Sequence, residues 1–215
     1  MHEVTVTTKP FDDDLKLYSR KQFILKPGIN SLVGCNGSGK STFIDCFLYP
    51  QLRRENIACY KHNDRTSGHS HYMEKLAFMN DFDGVAQMYM SSEGEQIVFA
   101  LHSVIRTIVS LCKENKGKKV FIIFDAIDSG MSVDEIIEIR GLFLDLVIPD
   151  MKSKFKVDLY VVVAANNYEW CNDERIHNIN ITNGSELKIT SYENYKECIL
   201  KSGKNKDKMR GYNES

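Results

Sequence analysis

Two hydrophobic periods alternate along this chain. Near the start, HEVTVTT (2–8) sets apolar and polar side chains in turn, the pattern of a half-buried strand. Phe11 with Asp12, Asp13 and Asp14 reads as a turn. Leu15 to Leu25 predicts a second strand, and Pro27-Gly28 a turn before the apolar run INSLVG (29–34). A helix is expected over KSTFIDCFLY (40–49), stopped by Pro50, whose ring and missing N–H break the ladder. Residues 51–72 are polar, with Asn, Asp, Gly and Ser gathered at 63–70, and read as a loop or weak hairpin. A short helix over roughly 72–80 follows.

From Ser92 the period becomes helical: Ile97, Leu101, Val104, Ile105, Ile108 and Leu111 fall on one face of a 3.6-residue repeat. VFIIF (120–124) and DLYVVVAA (158–165) are unbroken apolar runs, as in strands covered on both faces. Between them, Ser132 and Glu135 have capping-box spacing and open a helix to about 148. RIHNINIT and ELKIT, within 175–190, are joined by Asn183-Gly184, a strong hairpin signal. A last helix over 191–202 precedes the basic stretch KSGKNKDKMRGYNES. Helices alternating with apolar strands from 29 to 165 predict an α/β fold: a mixed central sheet flanked by helices, with an antiparallel N-terminal β portion. One domain over 1–200 and a flexible basic tail over 201–215 are expected.

Composition narrows the setting. The chain has 215 residues and a formal net charge of −1, so no overall field favours nucleic acid or membrane. No apolar run approaches the ~18 residues of a membrane span. The first residues lack the apolar core of a secretory signal. The six cysteines are scattered without a C-x-x-C pair, which fits free thiols in a reducing cytosol and not a zinc ribbon. A cytoplasmic protein is expected.

The chemistry begins at GCNGSGKS (34–41), which matches G-x-x-x-x-G-K-[ST] between a predicted strand and a predicted helix. Gly34, Asn36, Gly37, Ser38 and Gly39 form a turn whose N–H groups can face phosphate, aided by the positive end of the following helix. Lys40 should reach the β- and γ-phosphates, Ser41 should hold Mg²⁺, and Thr42 joins the same first turn. The expected ligands are therefore ATP and Mg²⁺. Asp125, at the end of the VFIIF run, is the natural second metal residue, acting through water.

A third motif, SSEGEQ (91–96), has capping-box spacing at Ser92 and Glu95, yet a serine and a close-approach glycine at a helix start also form an anion site. VGCNGSGKST, SSEGEQ and FDAIDSGMS in this order resemble an ATP-binding-cassette ATPase, whose signature reads Leu-Ser-Gly-Gly-Gln or -Glu. Ser92, Gly94 and Glu95 match it; Ser91 and Glu93 do not. The resemblance covers roughly 28–170 and implies two heads sandwiching two ATPs, with Ser92 and Gly94 closing the partner's site in trans. It also implies that 129–132 crosses the dimer interface. Ser92 lies 52 residues after Lys40, room for neither a transporter's helical subdomain nor a long coiled coil. With the signature glutamate, this leans toward a minimal head of the SMC, Rad50 or RecF-like kind. That resemblance implies an ATP-dependent homodimer, a separate effector protein, and work on DNA in repair, recombination or anti-invader defence. A transporter subunit is the lesser alternative within the family, and a small-metabolite kinase is opposed by SSEGEQ and by the SGMS loop.

Two positions depart from the family. The glutamate that activates water after the aspartate is Ala126, and the histidine expected after the next strand falls in YVVVAANN, where Asn166 or Asn167 stands. Asn166 is the catalytic candidate with Lys40 and Asp125. A general base must lie within hydrogen-bond reach of the water, so slow hydrolysis is expected. The alternative is a non-hydrolysing ATP-dependent dimerisation module. Asp128 and Glu169 could substitute as base, although each reads more simply as a turn or surface residue. Gln87 or Gln51 could sense the γ-phosphate. His62, His69 and His71 gather within ten residues, a weak metal pattern without cysteine partners.

Overall fold

The computed structural model describes residues 3–9, 18–20, 22–63, 93–128 and 131–209, with backbone only for 63, 93–103 and 207–209. Two strands, β1 (Val4–Thr7) and β2 (Gln22–Leu25), form an antiparallel pair. Six more build the central sheet: β3 (Gly28–Val33), β4 (Ala58–Asn63), β5 (Lys119–Asp125), β6 (Asp158–Ala164), β7 (His177–Asn180) and β8 (Glu186–Leu187). Their order is β4-β5-β6-β3-β7-β8, parallel throughout except for β8, which returns antiparallel at the edge. The expected mixed α/β sheet with its N-terminal antiparallel pair is thus the observed one.

Alternation within the central strands divides the core in two. Val120, Ile122 and Phe124 of β5 and Leu159, Val161 and Val163 of β6 face one layer. Phe121, Ile123, Tyr160, Val162 and Ala164 face the other. Across that second face the registered pair Phe121 and Tyr160 stack at 4.3 Å between ring centroids. The first layer is closed by α2 (Glu93–Glu114), through Val104, Ile108 and Cys112, and by a helix over 133–155. The second is closed by the β1–β2 pair, through Val4, Val6, Phe23 and Leu25, and by the helix over 40–54.

These two composite helices share a device. The first, α1, runs as α-helix Lys40–Phe43, π-helix Ile44–Leu48 and α-helix Tyr49–Arg54. The second, α3, runs as α-helix Val133–Gly141, π-helix Leu142–Val147 and α-helix Ile148–Phe155. In each, a proline (Pro50, Pro149) follows the π segment at the start of the last α segment. A proline in an unbroken α-helix collides with the carbonyl four residues back and leaves it without a donor. Widening the ladder there moves that carbonyl aside, so the helix continues. The stop expected at Pro50 and the end expected near 148 are corrected accordingly. At the start of α3, Glu135 accepts from the Ser132 N–H at 2.7 Å, as the capping-box spacing implies.

Three other expectations change. Within 51–72, read as loop or hairpin, Ala58–Asn63 is an edge strand parallel to β5. Its sequence ACYKHN mixes polar and apolar residues on each face, so no period-2 signal marks it. The second strand does not reach back to 18, because Tyr18–Arg20 leaves the ladder and the Ser19 N–H donates to the Thr182 carbonyl at 2.8 Å. The last helix, α4 (Tyr192–Met209), continues past 202 through part of the stretch read as tail. It docks through Tyr195, Cys198 and Ile199 beside Val33 and Cys171. The turn at 11–14, the loop at 64–70, the helix at 72–80 and residues 210–215 lie outside the described residues. At the hairpin, Gly184 takes φ 65° and a Cβ there would lie 2.7 Å from the Gln22 carbonyl oxygen, which accounts for glycine after Asn183.

Candidate functional site

Parallel strands β3, β5 and β6 end side by side, and α/β sheets bind ligands at such carboxyl ends. Here the ends enclose a cavity of about 270 Å³ lined by Asn36, Gly37, Gly39, Lys40, Ser41, Thr42, Asp125, Ala126, Ala164 and Asn166. The loop from β3 to α1 is built on backbone freedom and close approach. Gly37 (φ 72°) and Gly39 (φ 98°) take left-handed conformations. Tyr18 is 9 % exposed, and its hydroxyl donates to the Gly39 carbonyl at 2.8 Å and fixes the turn from outside. Burial, with Cys46 adding in the same direction, pushes the Tyr18 pKa well above the usual phenol value, so it stays a donor.

Lys40 is only 8 % exposed. Its Nζ donates to the carbonyls of Gly34 (2.6 Å) and Cys35 (3.2 Å) and to Asn166 Oδ1 (2.9 Å). Desolvation lowers its pKa from the ordinary lysine value, against smaller raising contributions from Cys35, Asp128 and Asp125. Next along, Ser41 Oγ donates to Asp125 Oδ1 at 2.9 Å, and Asp125 is 5 % exposed. A hydroxyl and a carboxylate in contact are the hard oxygen pair that magnesium takes together with waters and phosphate. Ser38 Oγ, in the same loop, is buried and lacks a hydrogen-bond partner. An orphaned buried hydroxyl is a group to explain, and a ligand of the loop is one explanation. The residues present fit both a phosphate chain and Mg²⁺.

The opposite wall differs. Ala126 is 8 % exposed, holds φ 61°, and donates its N–H to the Ala164 carbonyl at 2.9 Å. Its methyl carries no proton acceptor. Asp128 Oδ2 accepts from the Asn166 N–H at 2.7 Å. Glu169 pairs with Arg140 at 3.1 Å, with both side chains mostly buried, and is therefore not the surface loop residue expected from sequence. The two asparagines separate: Asn166 faces Lys40, while Asn167 accepts from the Glu169 N–H at 2.9 Å and caps the short helix Tyr168–Trp170.

Other candidates stand elsewhere. Gln51 donates to the Thr5 carbonyl at 2.9 Å, on the β1 side, and does not line the cavity. His62 is on β4, where burial lowers its pKa. Among the described residues no group of three or more His, Cys, Asp or Glu could hold a metal by itself. Ser91, Ser92, Gln87, His69, His71, Ser129 and Gly130 lie outside the described residues, and Gly94 is placed by backbone only, in the first turn of α2. Sequence reasoning missed Tyr18, Tyr195 and Ser202. All three touch the site through backbone groups of other residues, and no motif marks such contacts.

Strand β3, the glycine loop and α1, set in a parallel sheet with Asp125 on a nearby strand end, define the P-loop nucleoside-triphosphatase fold. No family model matches the chain, and no curated protein matches it. Among solved structures the chain is similar to one described as a metal-chelate type ABC transporter in an inward-facing conformation. The two share 17 % identity with a TM-score of 0.47, over 92 % of this chain and 89 % of that one. No helix among the described residues is long and apolar enough to cross a membrane.

Proposed function

We propose that this chain is a minimal ATP-binding-cassette head of the SMC or RecF-like kind, which binds ATP with Mg²⁺, dimerises around it and hydrolyses it slowly. The observation that carries this reading is the Ser41–Asp125 hydrogen bond of 2.9 Å, which joins an oxygen at the start of α1 and a strand oxygen on the cavity wall beside Lys40. Lys40 would carry the phosphate charge, and the N–H groups of 36–42 would cradle the chain of oxygens. Ser41 and Asp125 would hold Mg²⁺, which when bound neutralises charge on the phosphates. Asn166 would hydrogen-bond the terminal phosphate without carrying charge. Ser92 and Gly94 would close the partner's site in the dimer. ATP then acts mainly as the glue between heads, with hydrolysis releasing them. A separate effector protein and a role on DNA in repair, recombination or defence follow from the resemblance in SSEGEQ and FDAIDSGMS.

A second reading, an ATP-held dimerisation module without turnover, is favoured by the wall at Ala126. The two carboxylates considered as substitute bases are engaged, Asp128 by the Asn166 N–H and Glu169 by Arg140. Steady-state ATP turnover measured across protein concentration, with Lys40→Ala and Ser92→Arg alongside, tests both. Turnover that rises faster than linearly with protein, vanishes in both variants and stops on Mg²⁺ chelation supports the slow ATPase. ATP binding without turnover selects the second reading, and absence of ATP binding refutes both.

A further inference from the structure

The last helix touches the candidate site from both sides. On the loop side, the Cys35 N–H donates to Ser202 Oγ at 3.1 Å, and Ser202 is 4 % exposed although Lys201 beside it is exposed. Lys206 Nζ reaches the Asn36 carbonyl at 3.5 Å. A Cβ on Gly34 would lie 3.2 Å from Ser202 Oγ and 2.5 Å from Ile181 Cγ2, so loop and helix meet without space between them. On the opposite side, the Tyr195 hydroxyl donates to the Asn166 carbonyl at 2.9 Å. Asn166 Oδ1 in turn accepts from Lys40, and Lys40 donates to the Cys35 carbonyl. Tyr195 and Ser202 stand roughly two turns apart on one face of α4. The contacts therefore close a ring: Lys40, Asn166, Tyr195, the helix, Ser202, Cys35 and Lys40 again.

We propose that α4 is a brace of the phosphate site, with Ser202 positioning the loop and Tyr195 positioning Asn166, so that docking of α4 and binding of ATP strengthen each other. The proposal rests on the ATP reading above. Neither residue lines the cavity; each acts through another residue and is a positioning residue. Without the Ser202 hydroxyl the Cys35 N–H loses its acceptor, and the loop must reorganise before it can cradle phosphate. Preorganisation of this kind appears as affinity. Coupling is reciprocal, so ATP must also hold α4 more firmly in place.

Wild type, Ser202→Ala, Tyr195→Phe and Lys40→Ala are titrated with ATP and with ADP in Mg²⁺ and melted, and amide exchange over 192–206 is followed with and without nucleotide. Ser202→Ala is expected to weaken ATP and ADP alike, by about fivefold, the worth of one neutral hydrogen bond. Tyr195→Phe is expected to weaken ATP more than ADP, because Asn166 is read as a contact to the terminal phosphate. In wild type ATP slows exchange across α4; in both variants it slows it less. Tyr195→Phe keeps its ring beside Tyr168 and Tyr192 and carries the test if Ser202→Ala does not fold. Lower melting temperatures with an unchanged ATP-to-ADP ratio in Tyr195→Phe and an unchanged exchange response in both variants would mean a merely structural helix and overturn the brace. Wild-type affinities in both variants overturn it equally. If wild type binds ATP and Lys40→Ala does not, the site reading stands whatever α4 does. If wild type binds no ATP, that reading and the brace fall together.

Discussion

One wall of the cavity is fully equipped and the other is not. On the loop wall, buried Lys40 makes three hydrogen bonds and Ser41 meets buried Asp125 at 2.9 Å. On the facing wall, Ala126 offers no proton acceptor, and Asp128 and Glu169, which do not line the cavity, are held by other partners. Holding a phosphate chain and cleaving it are separable tasks, because binding needs donors and a cation whereas cleavage also needs a proton acceptor. The difference between the walls is what supports the proposal of slow or absent turnover. The sharpest way to break that comparison is at the loop. Lys40→Ala removes the only lysine that lines the cavity among the described residues and is expected to weaken ATP on the order of a hundredfold, equivalent to about 2–3 kcal/mol. Calorimetric titration checks it, and near-normal affinity would show that the loop wall is not where phosphate sits.

The facing wall is tested by restoring what it lacks. Ala126→Glu places a carboxylate on the cavity lining directly after Asp125. Ala126 already bears a Cβ at φ 61°, so glutamate adds no new class of backbone strain. A positioned base contributes roughly 10²–10⁴-fold, so turnover should rise by about a hundredfold while ATP affinity stays near wild type. Unchanged turnover would mean that the missing base is not what limits hydrolysis, and would shift attention to Asn166.

The contrast between the walls also explains what could be read from sequence. The loop wall was legible because its chemistry is contiguous: glycines, Lys40 and Ser41 within one motif, and Asp125 at the end of an unmistakable apolar strand. The sheet was legible for the same reason, since β5 and β6 are continuous apolar runs. What escaped was decided by partners far along the chain. Strand β4 has no period of its own and exists because β5 offers it a parallel edge. Helix α1 passes Pro50 because the π segment relieves the clash, and packing of Phe43, Ile44, Leu48 and Leu52 holds the whole length in place. The engagement of Asp128 and Glu169 depends on Asn166 and Arg140, 38 and 29 residues away in the chain.

The packing behind the loop wall predicts a smaller effect. Gly34→Ala would push a methyl to 2.5 Å from Ile181 Cγ2 and 2.6 Å from Ser38 Oγ. Ile181 is fully buried and has little room to yield, so overpacking should destabilise by about 2 kcal/mol. In a chain of this size that corresponds to a melting temperature lower by roughly 4–8 °C. Ala126→Gly on the facing wall should move the melting temperature far less, since lost methyl burial and relieved strain oppose each other there. Equal shifts from the two substitutions would remove the claim that the loop wall is the tightly built one.

The smallest effect separates the walls by pH. Burial lowers the Lys40 pKa from 10.5, so in the window between its folded value and 10.5 the unfolded chain binds more protons than the native one. Lys40 therefore makes ligand-free stability rise with pH across that window, by at most about 1.4 kcal/mol per pH unit for one proton. ATP affinity should move the opposite way, because a neutral amine cannot pair with phosphate. Its decline should begin below pH 10.5 and not exceed about tenfold per pH unit. Ala126→Glu should follow the wild-type profile in this range, since a carboxylate is already ionised there, whereas Lys40→Met should remove the lysine's share of the stability rise. Paired denaturation and binding curves from pH 8 upward would test this. Stability and affinity rising together with pH would mean that the Lys40 ammonium is not the group that meets the phosphate.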